Sequence, residues 1–251
     1  MTIDAWSPAQ YNRFAAERER PFWDLVAHLD ASGAPRVVDL GCGDGRLTQA
    51  LGRRLGASSI HGIDASPSML ERAARYGDAT TSFAQGDLAT WRDENVDIIV
   101  ANASLQWVDD HAAVLTRWME SLRPGGQLAV QVPANGNHPS HLVSGELAAE
   151  ILGEDDHVAI NVLRPEDYAE ILAALGTSVD VTLRVYLHEL ASSEELVEWM
   201  KGTALTRFRE RLSAEDYDAL VAEYRARLLD RVGRRSPYLF TFNRILMYAR
   251  A

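Results

Sequence analysis

The stretch VVDLGCGDGRL, residues 37–47, sets Gly41, Gly43 and Gly45 between an apolar run and a helical pattern. Glycines at such a junction let the backbone approach a ligand closely, and the N-terminus of the following helix offers N–H groups. The spacing is G-x-G-x-G. It fails the dinucleotide fingerprint G-x-G-x-x-G, whose last position is Arg46, and it fails the P-loop because no Gly-Lys-Ser/Thr follows. Two acids extend the set. Asp64 ends a second apolar run, where a carboxylate can accept both hydroxyls of a ribose. Asp87 ends a third, where it can accept from an exocyclic adenine amine with Leu88 against the ring. Singly, each acid reads equally well as a loop acid or a helix cap; with Asp39 and the three glycines they converge on one ligand. A fourth apolar run ends in Asn102 and opens into ASLQWVDDH. There Ser104, Gln106 and Trp107 put hydrogen-bonding groups and a large indole where a short turn would suffice.

The elements that must position these residues alternate. RVVDL (36–40), SIHGID (59–64), TSFAQGD (81–87), VDIIVAN (96–102) and QLAVQVP (127–133) read as strands. RLTQALGRRLG (46–56), SPSMLERAARYG (66–77) and HAAVLTRWMESLRPGG (111–126) read as helices between them, the last stopped by Pro-Gly-Gly. Ser66 is the expected N-cap of its helix, with Pro67 at the first helical position, and Asp109 or Asp110 caps the helix at 111. Residues 8–30 read as one or two helices, with Pro21 starting the second. This rhythm predicts a parallel sheet covered on both faces, with the glycines and acids at the C-terminal ends of its strands, where open α/β sheets bind ligands. After Pro133 the rhythm breaks. RPEDYAEILAALG (164–176) is a helix, SVDVTLRVYLHEL (178–190) a strand, 193–231 helical, and PYLFTFNRILMYAR (237–250) a closing strand. The expected organisation is one α/β domain over 1–251. Its core covers about 32–133, 178–190 and 237–250; a helical lid covers about 6–30, and cap insertions cover about 134–177 and 191–236.

Composition narrows the function classes. The chain has 251 residues, 47% hydrophobic and 24% charged, with a formal net charge of −11. That balance disfavours a nucleic-acid footprint, which needs clustered surplus Lys and Arg. The single cysteine, Cys42, leaves no disulfide framework and no cysteine-based metal site. No apolar signal core and no run of about 20 apolar residues is present, so the expected location is the cytoplasm, with no membrane contact. His138 and His141 lack a third ligand at convincing spacing, so no metal is expected. The sequence leaves the oligomeric state open.

VVDLGCGDG, GIDASPSML, QGDLATW and LRPGGQLAV together resemble class I S-adenosylmethionine-dependent methyltransferases. The resemblance implies a Rossmann-like sheet of seven strands, mostly parallel with the last antiparallel, and S-adenosyl-L-methionine as cofactor. It implies that Gly41, Gly43 and Gly45 line the methionine part of the cofactor and that Asp39 helps orient its amino group. Asp64 would hold the ribose and Asp87 with Leu88 the adenine; Ala65 is a further cofactor-binding residue, and Asn102 would lie on the cofactor side of its loop. Cys42 is then a small spacer.

Across WSPAQYNRFAAERERP, ANASLQWVDDH, AVQVPANGNHPSH and EWMKGTALTRF the chain is similar to the trans-aconitate 2-methyltransferase family, which methylates a carboxylate of a small polycarboxylic acid. The resemblance implies that Trp107, Tyr11, Arg244 and Arg207 position the acceptor, with no side chain acting as acid or base. Arginine suits that task because its fork binds both carboxylate oxygens. Each residue also has a plainer reading: Trp107 as core packing, Arg207 as a solvated helix face, Arg18 and Arg20 as surface ion pairs with Glu17 and Glu19. Two stretches depart from the family pattern. Where the family reads Gly-Leu-Arg-Pro this chain has Ala204, Leu205, Thr206 and Arg207, and where it reads Met-Pro-Asp-Asn this chain has Val132, Pro133, Ala134 and Asn135. The rivals are a malonyl-thioester or other small-acid carboxyl methyltransferase, and a cofactor-binding regulator without catalysis.

Overall fold

The computed structural model describes residues 15–153, 161–209 and 211–251. Seven strands form one sheet in the order β3-β2-β1-β4-β5-β7-β6. They are β1 (Arg36–Leu40), β2 (Ser59–Asp64), β3 (Thr81–Gln85), β4 (Val96–Asn102), β5 (Leu122–Pro133), β6 (Ser178–Leu190) and β7 (Tyr238–Arg250). β1 to β5 pair in parallel, and β7 runs antiparallel to β5. This is the class I methyltransferase sheet. The strand order reverses between β1 and β4, so the crevice at their C-terminal ends is the topological switch point.

Contacts gather the described residues into two compact units. One contains residues 21–133, 161–184 and 244–251; the other contains 15–20, 134–153, 185–209 and 211–243. In the first, residues 21–26 of α1 (Ala15–Val26) lay Phe22, Leu25 and Val26 on Val37, Ile98, Val100, Ala129 and Leu246. The sequence expectation that Pro21 begins a helix is corrected here, because α1 runs through it. Proline inside a helix forfeits one backbone hydrogen bond. Burial of Phe22, Leu25 and Val26 beyond it, each worth roughly 1.5–3 kcal/mol, offsets that loss.

α2 (Arg46–Leu55), α3 (Pro67–Ala73) and α4 (His111–Glu120) follow β1, β2 and β4. As expected, Ser66 Oγ accepts from the Met69 N–H with Pro67 at the first position, and Asp110 caps α4 through the Ala113 N–H. The Pro-Gly-Gly stop lies inside β5 rather than before it. Leu122 already pairs with Val96, and the register then shifts so that Gln127 pairs with Ile98. The residues between form a bulge, with Gly125 at φ +76°. α6 (Pro165–Ala173) completes this unit's helices.

The second unit is built by α5 (Pro139–Leu152), α7 (Ser193–Lys201), α8 (Thr206–Arg209), α9 (Ala214–Val232) and the facing parts of β6 and β7. Its core is aromatic, with Trp199, Phe208, Tyr224, Phe240 and Phe242 at the centre. Tyr224 Oη donates to the Ser140 carbonyl, so this buried hydroxyl is satisfied. Among the described residues, no helix is long and apolar enough to cross a membrane.

Candidate functional site

The loop after β1 is wired before any ligand arrives. The Gly41 and Cys42 N–H groups both donate to the Ile63 carbonyl, at 2.8 and 3.1 Å, and the Gly45 N–H donates to the Cys42 carbonyl at 3.1 Å. The Gly43 N–H donates to Asp64 Oδ2 at 2.9 Å, and Asp64 Oδ1 accepts from the Ser66 N–H at 2.9 Å. A phosphate needs free backbone donors, and these four are committed. Asp64 is therefore held at both oxygens, its carboxylate fixed at the end of β2 with lone pairs to spare. Gly41 is required by two facts: its φ is +81°, and a Cβ there would overlap Ser104 Cβ at 2.2 Å. A Cβ on Gly43 would meet nothing within 4 Å, so that side of the loop is open to a ligand.

The charge around this loop is negative. Asp39, at the end of β1, is 4% exposed, and Thr48 Oγ1 on α2 donates to its Oδ2 at 2.6 Å. Burial pushes its carboxyl up to about 6; the Thr48 bond opposes that, and the Asp64 charge adds to it. The Cys42 thiol is buried, and burial together with the Asp39 and Asp64 charges pushes it far above the ordinary thiol range. Such a thiol is not a nucleophile.

The loop after β4 closes the other side of the crevice. Ser104 Oγ donates to the Leu40 carbonyl at 2.6 Å, tying it to the end of β1. Ala103 adopts φ +53°, uncommon for a residue with a Cβ. Its N–H donates to the Gln131 carbonyl at 2.9 Å, and Gln106 Nε2 donates to its carbonyl at 2.7 Å. Among the described residues, Asn102 Oδ1, Gln106 Oε1 and Gln131 Nε2 are buried without a hydrogen-bond partner. Trp107 is 65% exposed, which overturns its reading as core packing.

The far end of this loop is clamped. His111 Nδ1 is hydrogen-bonded to Tyr168 Oη at 2.7 Å, and the same hydroxyl accepts from the Leu163 N–H at 3.3 Å. Asn161 Nδ2 donates to the Val108 carbonyl at 2.9 Å. Burial lowers His111 below the ordinary histidine range and pushes Tyr168 up to about 12, so both stay neutral near pH 7. Tyr168→Phe leaves a buried ring nitrogen unpaired. We expect it to cost about 1 kcal/mol, or roughly 2–4 °C in Tm, and to speed amide exchange across 105–111. Unchanged exchange would remove the clamp.

The remaining candidates fall in several places. Asp87 is exposed, with Oδ1 accepting from the Ala89 N–H at 2.9 Å; Leu88 is buried, and its carbonyl accepts from Trp118 Nε1. Ala65 follows Asp64, and its carbonyl accepts from Gln85 Nε2. Arg244 is 8% exposed and pairs in register with Pro133 at the C-terminal end of β5. Arg207 belongs to the other unit. Its guanidinium donates to the Ser144 carbonyl at 3.1 Å and lies over the Phe208 ring, so it is not a solvated helix face. Arg20 sits over the Tyr186 ring, 5.5 Å from the centroid. Tyr11 lies outside the described residues, as does the side chain of Arg18. His138 caps α5, accepting from the Ser140 N–H. Among the described residues, no group of three or more His, Cys, Asp or Glu could hold a metal ion. Asn135, in the stretch that departs from the family, is buried and bonds the Thr241 carbonyl and the Asn243 N–H.

A family model described as a methyltransferase domain matches residues 37–126. A trans-aconitate 2-methyltransferase from Mycobacterium tuberculosis is 39% identical over 97% of this chain and 96% of its own. One from Streptomyces coelicolor is 41% identical over 90% and 79%. Among solved structures, the YcgJ protein from Bacillus subtilis superposes with a TM-score of 0.61 at 15% identity, covering 94% of this chain and 98% of that one.

Proposed function

The chain belongs to the trans-aconitate 2-methyltransferase family and so to the S-adenosylmethionine-dependent methyltransferases, and we propose that it esterifies one carboxylate of a small polycarboxylic acid, with trans-aconitate as the lead acceptor. The observation that carries the cofactor side is the glycine loop itself. Its N–H groups are engaged, its open side adjoins Gly43, and two carboxylates stand at its ends. That environment repels phosphate and suits a ligand bearing positive charge, as a sulfonium with an ammonium group does. Asp64 is assigned to the ribose hydroxyls, with Ala65 beside it. Asp87 and Leu88 take the adenine, Asp39 the amino group, and Gly41, Gly43, Gly45 and Asn102 line the rest.

When bound, S-adenosylmethionine supplies an electrophilic methyl group. The protein's part is to hold an acceptor carboxylate in line and keep water out. A carboxylate with a pKa near ~4 is already ionised at neutral pH, so no general base is needed, in keeping with a loop whose only thiol is inert. Trp107 and Arg244, both in the first unit, are the proposed acceptor-positioning residues; Arg207 and Tyr11 are those the family resemblance adds. The indole N–H of Trp107 is a donor on an exposed ring, and Arg244 is a buried cation on β7, in register with Pro133 at the C-terminal end of β5.

The test is purified protein with labelled S-adenosylmethionine and a panel of di- and tricarboxylates, malonyl thioester included. A methyl ester of trans-aconitate or a close analogue is the expected product. Ester from malonyl thioester alone would transfer the assignment to an acyl-carrier substrate. No ester from any acid would overturn the proposal.

A further inference from the structure

Strand register carries one inference past the residues already assigned. In a sheet, residues paired in register share a face. Asn102 on β4 pairs with Gln131 on β5, and Gln131 pairs with Leu246 on β7. Two residues along β7, Arg244 pairs with Pro133, which shares the face of Gln131. Asn102, Gln131 and Arg244 therefore stand on one face of three neighbouring strands. They continue the row of Val100, Ala129 and Leu246 that α1 covers. A polar residue there is out of keeping with its neighbours. Gln131 is 1% exposed, and its amide nitrogen has no partner among the described residues. A buried amide N–H without an acceptor destabilises the fold, and a folded protein retains one where something else uses it.

We propose that Gln131 is a specificity-determining residue whose side-chain N–H donates to the carboxylate of the methyl acceptor; this rests on the small-acid assignment above. The order of groups along the face supports it. Asn102 offers a buried acceptor oxygen, Gln131 a donor and Arg244 a cation. Polarity thus runs from electron-rich at β4 to positive at β7. That gradient matches a positively charged methyl donor held beside the switch point and an anionic acceptor held one strand further on. Gln131 fixes the boundary between them. A neutral donor there can orient an anion without repelling the sulfonium, as a second arginine would.

The test is calorimetric titration of trans-aconitate into the protein saturated with S-adenosylhomocysteine, a complex that binds without turning over. Gln131→Met keeps the volume and removes the donor; Gln131→Glu replaces it with a like charge. We expect Gln131→Met to weaken acid binding about tenfold and Gln131→Glu about a hundredfold or more, in line with hydrogen bonds to charged groups. Affinity for S-adenosylhomocysteine should stay within about twofold, and Tm of Gln131→Met should match or exceed wild type. The melting temperature separates this role from a structural one, since a donor that serves the fold lowers Tm when removed. Wild type binding the acid with both variants unchanged would overturn the role of Gln131 alone. Gln131→Met losing Tm, acid affinity and cofactor affinity together would do the same. Wild type binding S-adenosylhomocysteine but no acid would overturn the acceptor assignment and this inference with it.

Discussion

Asp64→Ala is expected to raise the dissociation constant for S-adenosylmethionine about a hundredfold or more. The carboxylate is oriented from both sides, by the Gly43 N–H on Oδ2 and the Ser66 N–H on Oδ1, each at 2.9 Å. In the proposed site a carboxylate so fixed would meet the ribose diol without losing rotamer freedom, and a hydrogen bond to a charged group is worth roughly 1.5–3 kcal/mol. Two such bonds lost together would exceed the expected effect, so a hundredfold is the conservative figure. The same change frees the Gly43 N–H and loosens the open side of the loop. Asp64→Asn should recover part of the loss, because an amide oxygen can still accept from one of the two N–H groups. Calorimetry with S-adenosylhomocysteine reads both variants; unchanged affinity in Asp64→Ala would remove this carboxylate from the cofactor site.

The parts of this architecture legible in the chain are those written locally. β1, β2 and β4 are short apolar runs because strands buried on both faces have no polar side to show, and their ends fall within a residue or two of the sequence expectation. Ser66-Pro67 announces a helix start by its own chemistry. Two local signals misled for a physical reason. Pro21 usually opens a helix, but buried side chains beyond it hold α1 together. Pro-Gly-Gly usually ends an element, but here it is a bulge within β5, because Leu122 is already paired with Val96. In the site, the types were visible and the partnerships were not. The glycines and acids stand out in sequence. That Asp64 holds Gly43, that Ser104 Oγ reaches the Leu40 carbonyl and that Thr48 reaches Asp39 depend on which strands lie side by side. Thr48 carries no motif; only its place on the helix after the loop, nine residues past Asp39, could have suggested it. Gln131 was visible as a polar residue within an apolar strand, yet its significance comes from register with Asn102 and β7.

Asp39→Asn is expected to stabilise the ligand-free protein while weakening its grip on the cofactor. Burial raises the Asp39 carboxyl from 3.8 to about 6. A group held about two units above its unfolded value penalises the native state by on the order of 3 kcal/mol once it is ionised. The sign follows from proton counting. Between about pH 4 and pH 6 the folded protein retains a proton that the unfolded chain has released. The penalty is therefore complete above about pH 6, shrinks as pH falls through 6, and vanishes below about 4. Asparagine carries no charge to desolvate, and its carbonyl can still accept from Thr48 Oγ1. In the absence of cofactor, Tm should rise by roughly 5–10 °C at pH 7.5 and should match wild type near pH 4. Binding should move the other way. An ionised Asp39 faces the positive end of the cofactor in the proposed site, so wild-type affinity should fall as pH drops below about 6. Because cation binding holds Asp39 ionised, association at pH 6 should release about half a proton per site, measurable as a dependence of binding heat on buffer. The variant should bind more weakly and release no proton from this position. A buried carboxylate that costs the empty fold stability is sensible only if a ligand's charge repays it. Equal melting temperatures at pH 7.5, with the same proton release in both proteins, would leave Asp39 without that role.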